Sequence, residues 1–282
     1  MTHDAGTDSD RAASLFEFDD GASWLPILAA SLGALLPRNA RDLISSTQPD
    51  GPWSASETLS KAVDIDAVYE AMRRWVSERD VAAYHGTRLN PVQQGSVARN
   101  GLRRLVPADR STAIEAFLGE HPRWDEIRHR VPEALAFMER GGAGNRAGQV
   151  HLTLSREGLV KGFNHYLVEG SEFDHHVANY LLGEECHEQN RRRGEAILYR
   201  VRLSGEEALA AANPFGEMKH PNLLRELFQS VSWFLSTGDT ETSALELDCG
   251  MILYRDVEPP DIIETITIPD SELWEHYDHR LR

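Results

Sequence analysis

The sequence predicts an α+β protein, and three observations carry that prediction. Short segments with strand patterning are interspersed with amphipathic helical segments, without the regular βαβ alternation of a doubly wound sheet. No segment repeats along the chain. At 282 residues, 41% hydrophobic and 26% charged, the chain can bury a proper core and has the composition of an ordinary globular protein. Two common nucleotide-binding patterns are missing: no GxGxxG follows a strand, and no GxxxxGK[ST] occurs.

Bulk charge narrows the function classes. A formal net charge of -16 and a pI of about 5.2 argue against a chain built mainly to coat nucleic acid, because that binding rests on neutralising phosphates. Arg103, Arg104, Arg123, Arg128, Arg130 and Arg191–Arg193 could line a local basic rim for nucleic acid or phosphate, but Glu184, Glu185, Glu188 and Glu195 balance the last run, and with the acidic total a solvated charge run is the expected reading. The only cysteines are Cys186 and Cys249, so no disulfide framework is implied and a reducing cytoplasm fits. Met1–Arg11 lacks the basic start and apolar run of a secretory signal. Trp24–Leu36 is shorter than the ~20 residues a membrane helix needs. A soluble cytoplasmic protein with no membrane partner is expected.

In chain order, residues 1–13 read as a disordered tail and 14–79 as an N-terminal helical cap. Trp24, Leu25, Leu28, Leu32, Leu35 and Leu36 recur at helical spacing before Pro37, and QPDGPW (48–53) is a turn. Ile65, Val68, Met72 and Trp75 share the face of another helix. From residue 80 to 282 a second domain is expected. Val81–Tyr84 is a buried strand ending on His85-Gly86-Thr87-Arg88, and Pro91 opens a helix that Gly101 closes. Helices follow at 111–118 and 124–140, then a flexible Gly-rich loop at 141–145. Gln149–Leu154 alternates as a strand, 173–182 is a helix, and 184–194 is an exposed charged loop. Strands at 196–203, 251–254 and 262–268, and helices at 205–212, 221–235 and 271–277, complete the chain.

Tyr84-His85-Gly86-Thr87-Arg88, a short helix, and Gly101-Leu102-Arg103 together resemble the catalytic domain of ADP-ribosyltransferases, in the poly(ADP-ribose) polymerase-like branch of His-Tyr-Glu type. The resemblance covers about residues 80–270. It implies split mixed/antiparallel sheets with flanking helices, preceded here by the helical region, and NAD as co-substrate. His85 would meet the adenine-side ribose, Gly86 the nicotinamide amide, and Thr87 and Arg88 would support the same strand end. A glycine backbone offers one N–H and one C=O to an amide with no side chain in the way.

Two further elements follow from the same resemblance. In Gly148–Thr153, His151 stands where a stacking Tyr is expected, and Tyr180 supplies the second face of an aromatic clamp. The late strand within Ala244–Ile263 should carry a carboxylate that stabilises the oxocarbenium-like ribose. Counting back from Val257-Glu258-Pro259-Pro260 lands on Cys249 or Gly250. Asp248 is the first choice and Glu246 the second, allowing a slip or bulge there. With His85 they form the expected catalytic set.

The activity implied is that of a mono-ADP-ribosyltransferase, which cleaves NAD and passes ADP-ribose to a protein or nucleic acid, as toxins and phage-defence effectors do. The alternative is a catalytically inactive NAD- or ADP-ribose-binding, or protein-interaction, module on the same fold. A third reading is an interaction protein of unrelated α+β fold with an accidental His-Gly-Thr. His165, His175, His176, Cys186 and His187 are zinc-type ligands, but their spacing matches no pair-and-pair pattern, so no metal is expected. Neither cysteine carries a nucleophile signature.

Overall fold

A computed structural model describes residues 15–140, 146–241 and 249–275. Its central strand is Asp80–Leu89 (β2, with β1 at Leu15–Phe16). Val81 to Tyr84 are all buried, as their apolar run requires. The strand does not stop at His85, because Thr87 and Arg88 are buried as well and Gly86 is covered from outside. A Cβ on Gly86 would lie 2.8 Å from Leu159 Cδ2 and 3.2 Å from Leu167 Cδ2. Further strands are Val150–Thr153 (β3), Glu195–Ser204 (β4), Gly250–Leu253 (β5) and Ile262–Ile268 (β6).

These strands make one six-stranded sheet, in the order β5-β3-β2-β4-β6, with β1 paired to β2. β1 runs parallel to β2, with Phe16 opposite Val81. β6 runs antiparallel to β4, Ala196 opposite Ile268, with a register shift at Arg200/Val201. The α+β expectation holds at this level. The expected split does not: β2 has neighbours on both sides and joins all the described strands into a single sheet.

Helices occupy Gly21–Ser31 (α1), Ala40–Ser46 (α2), Pro52–Ser60 (α3), Ile65–Ser77 (α4), Pro91–Asn100 (α5), Arg110–Leu118 (α6) and Trp124–Ile127 (α7). They continue at Val131–Glu139 (α8), His165–Glu169 (α9), Glu172–Leu182 (α10), Cys186–Arg191 (α11), Gly205–Ala211 (α12), Asn222–Thr237 (α13) and Asp270–Trp274 (α14). Among the described residues, no helix is long and apolar enough to cross a membrane.

The chain packs as two compact units. The first comprises Met1–Ala83, Thr153–Gly158 and Arg202–Ile252; the second comprises Tyr84–Leu152, Leu159–Val201 and Leu253–Arg282. The N-terminal helices are therefore not a cap by themselves. An amphipathic helix must bury its apolar face, and α1 to α4 do so against α13, through Leu223, Leu224, Leu227, Phe228 and Val231. The ring of Phe16 meets Trp24 and Trp75 edge-on, each at 5.4 Å. Asp19 accepts from Ser155 Oγ (2.7 Å), Arg156 N–H (2.7 Å) and Glu157 N–H (3.1 Å). Gly205 follows β4 so closely on α4 that a Cβ would lie 1.9 Å from the Val76 carbonyl oxygen.

In the second unit Ile114, Leu118, Ile127, Val131, Leu135, Phe173, Val177, Leu181 and Cys186 share one helical core. Asp174, buried on α10, is held between the guanidiniums of Arg110 and Arg193. Burial pushes its carboxyl up, yet Arg193 and Arg110 outweigh this and hold it below its ordinary value. The segment 184–194 is not the exposed loop expected. Within it, α11 turns Cys186 and Asn190, one turn apart, inward. The charged residues around them hid that single buried stripe. The tail 1–13, the loop 141–145, and Glu246 and Asp248 lie outside the described residues.

Candidate functional site

β2 and β3 are neighbours, and this brings His85 and His151 together. His85 Nδ1 lies 2.8 Å from the backbone carbonyl oxygen of His151. A carbonyl only accepts, so Nδ1 carries the proton and Nε2 keeps its lone pair. Burial lowers the pKa of His85, which keeps the ring neutral.

His151 is fixed in the other tautomer. Its Nδ1 accepts from Arg146 Nη1 at 3.0 Å. Its Nε2–H then donates to Gln149 Oε1 at 2.8 Å. Burial, then the positive charge of Arg146 and then His85 lower its pKa to about 4. Arg146 in turn pairs with Glu172 in the first turn of α10. Tyr166 Oη donates to the same carboxylate at 3.1 Å, and His176 Nε2 lies 3.4 Å away. Burial alone would raise Glu172; His176, Arg146 and Tyr166 outweigh it and hold the group at about 2. The result is one continuous network in the order neutral imidazole, neutral imidazole, guanidinium, carboxylate. It can accept a hydroxyl proton at His85 Nε2 and set a fixed negative charge behind Arg146.

Other expected residues have different work. Gly86 is explained by Leu159 and Leu167 packing over it, and Thr87 is buried in the strand. Arg88 is not offered to a ligand. Its guanidinium holds Asp270 in a fork at 2.9 and 3.0 Å and donates to the Leu167 carbonyl at 3.1 Å. Tyr180 does not join His85 either. Its hydroxyl donates to Glu133 at 2.7 Å, its ring lies 5.2 Å from Phe137, and Arg130 sits over it. It stands two turns beyond Glu172, roughly 12 Å along the axis of α10, at the α8 side. Arg146, Gln149 and Glu172 were missed. Each looks like ordinary surface polarity in the sequence, and Glu172 like a routine acid at a helix start.

The histidines split between sites. The His165 ring lies against Tyr166, tilted by 38° with centroids 4.0 Å apart, and His176 belongs to Glu172. His175, His187 and Cys186 form a separate group whose ligand atoms lie within 4.8 Å of one another. Glu169 reaches both rings, 2.7 Å from His187 Nδ1 and 2.9 Å from His175 Nδ1. Burial, then Glu169 and Glu184, push the Cys186 thiol up to about 12. A cavity of about 530 Å³ lies elsewhere in the second unit, bounded by Pro91, Gln94, Val97, Tyr199, Ile262 and Thr265, and no expected site residue lines it.

Compared with protein-family models, curated proteins and solved structures, the chain finds no match.

Proposed function

We propose that the chain binds NAD beside His85 of β2 and transfers its ADP-ribose to a macromolecular acceptor, a protein or a nucleic acid, as a mono-ADP-ribosyltransferase. One observation carries the reading. His85 and His151 are paired across neighbouring strands, with the His85 proton fixed on Nδ1 by the His151 carbonyl. The free lone pair on His85 Nε2 suits a ribose hydroxyl, which donates. In the transfer the C1′–N glycosidic bond breaks and nicotinamide leaves with the bonding pair. The positive charge developing on the ribose calls for a carboxylate nearby. Asp248 is the first choice for that role and Glu246 the second. Glu172, kept ionised against its burial by His176, Arg146 and Tyr166, joins them as a candidate on the His151 side. A cytoplasmic setting, and use as a toxin or phage-defence effector, belong to the same reading.

A specific observation favours a second reading, an NAD- or ADP-ribose-binding module without turnover. Tyr180 is committed to Glu133 and Phe137, so the expected aromatic clamp lacks its second face, and Arg88 is committed to Asp270. Labelled NAD incubated with the full chain and a cell lysate separates the two. Transfer predicts a labelled macromolecule, lost in His85→Ala and retained in Tyr180→Phe. A melting temperature raised by NAD without any label selects the binding module. Neither a label nor a shift removes both readings.

A further inference from the structure

α9, α10 and α11 converge on Glu169, His175, Cys186 and His187, four side chains that the network from His85 to Glu172 does not use. We propose that these residues hold a single zinc-class divalent cation, which fastens the three helices to one another. The donor types fit. Two imidazoles, a thiolate and a carboxylate are the ligands of tetrahedral zinc, whereas magnesium and calcium take oxygen sets. The geometry fits as well. One donor atom each from His175, Cys186 and His187 already lies within 4.8 Å of the others. Glu169 sits against Nδ1 of both rings, at 2.7 and 2.9 Å. Gathering the donors around one ion needs side-chain adjustment and no rearrangement of the helices.

The cluster is rich in lone pairs. The Asn190 side-chain nitrogen lies 2.7 Å from His175 Nδ1. If Nδ1 accepts that N–H, it faces a Glu169 oxygen at 2.9 Å with lone pair against lone pair. If the amide is turned round, Nδ1–H is shared between two oxygens. Asn190 Oδ1 is itself buried and has no hydrogen-bond partner among the described residues. A cation relieves either arrangement. Binding breaks the Cys186 S–H bond, sends its proton to solvent and forms a metal–sulfur bond. The dication's charge is then met by one thiolate and one carboxylate.

The site is also closed. Cys186 is fully buried, and the side chains of His175, His187 and Glu169 are 17%, 14% and 9% exposed. Little room is left for an open coordination position, which marks a structural rather than a catalytic ion. Such a site supplies folding free energy directly. It is independent of the NAD reading.

Metal content of the purified full chain, followed by chelation and titration with Co²⁺ in place of zinc, tests this. The expected result is about one zinc per chain as purified. A cobalt spectrum with a thiolate charge-transfer band should saturate at one equivalent, and the melting temperature should fall on chelation. Cys186→Ser should abolish the thiolate band, and His187→Gln should weaken cobalt binding at least ~10-fold. Cys249→Ser should change neither. Folded wild-type protein that takes up no cobalt overturns the proposal, as does a thiolate band that survives Cys186→Ser or vanishes in Cys249→Ser. If Cys186→Ser fails to fold by circular dichroism, the His187→Gln titration decides, and unchanged affinity overturns the site.

Discussion

Two polar clusters of the second unit are built around carboxylates three residues apart in the chain, yet they are held differently. Glu172 is met by a guanidinium, a phenol and an imidazole. Glu169 sits between two imidazoles beside a buried thiol. His176 and the permanent cation Arg146 hold Glu172 ionised, and burial together with Arg146 keeps His151 neutral. The Glu169 cluster relies on rings that can change tautomer or offer a lone pair. The first arrangement is preorganised for a polar ligand; the second is adaptable and suited to an ion. Asp174, on the same helix as Glu172, shows the third possibility. Enclosed by two guanidiniums, it is purely architectural.

The largest effect should come from breaking the frame that both clusters share. Asp174→Asn leaves Arg193, itself only 5% exposed, facing Arg110 without a counter-charge. The expected loss is about 3–5 kcal/mol in urea unfolding. A loss below ~1 kcal/mol would show that α10 does not depend on that triad.

Acid should then separate the clusters. The folded pKa of His151 is depressed to about 4, below the ~6.5 of an unfolded histidine. Between those values the unfolded chain binds more protons, so stability falls as the pH drops through that window. His85, depressed in the same direction by burial, adds to the slope. The groups facing them are Arg146 and Glu172, and Glu172 titrates only near 2, below the window. The loss attributable to His151 is on the order of 2–3 kcal/mol. His151→Gln should flatten the pH profile between 6.5 and 4 in thermal melts; an unchanged slope would assign it to other groups.

The smallest effect concerns how tightly the network from His85 to Glu172 is coupled. Glu172→Gln and Arg146→Gln should each cost about 1–2 kcal/mol. Their double mutant should show a coupling energy of about 1 kcal/mol. Strictly additive losses would reduce that pair to a surface contact.

What the sequence disclosed follows the range of the forces involved. Alternating apolar residues in 196–203 and the run at Val81–Tyr84 mark strands, because burial on a pleated surface is a local pattern. Pro91 marks the start of α5 for the same reason, and the structure adds Asn90, whose Oδ1 accepts from Gln93 N–H at 2.9 Å. His85 and His151 stood out in the sequence through the motif, and the pairing of β2 with β3 brings them to within 2.8 Å of one another, ring nitrogen to backbone carbonyl. Arg146 and Glu172 did not stand out, because their pairing joins a loop to a helix start across a stretch that has no shared periodicity. Tyr180 and Arg88 misled for the converse reason. A motif fixes a residue type, but Glu133 and Asp270, both distant in sequence, decide where the side chain goes.

The packing of α13 on α1 to α4 also sets a timetable. The chain is made from its N-terminus, at ~5–20 residues per second. Trp75 therefore leaves the ribosome roughly seven to thirty seconds before the helix beginning at Asn222. Through that interval the faces bearing Trp24, Leu28, Leu59 and Met72, all buried in the finished protein, have no α13 to lie against. Nascent chains of this protein should accordingly depend on chaperones that shield apolar surface until the late helix arrives.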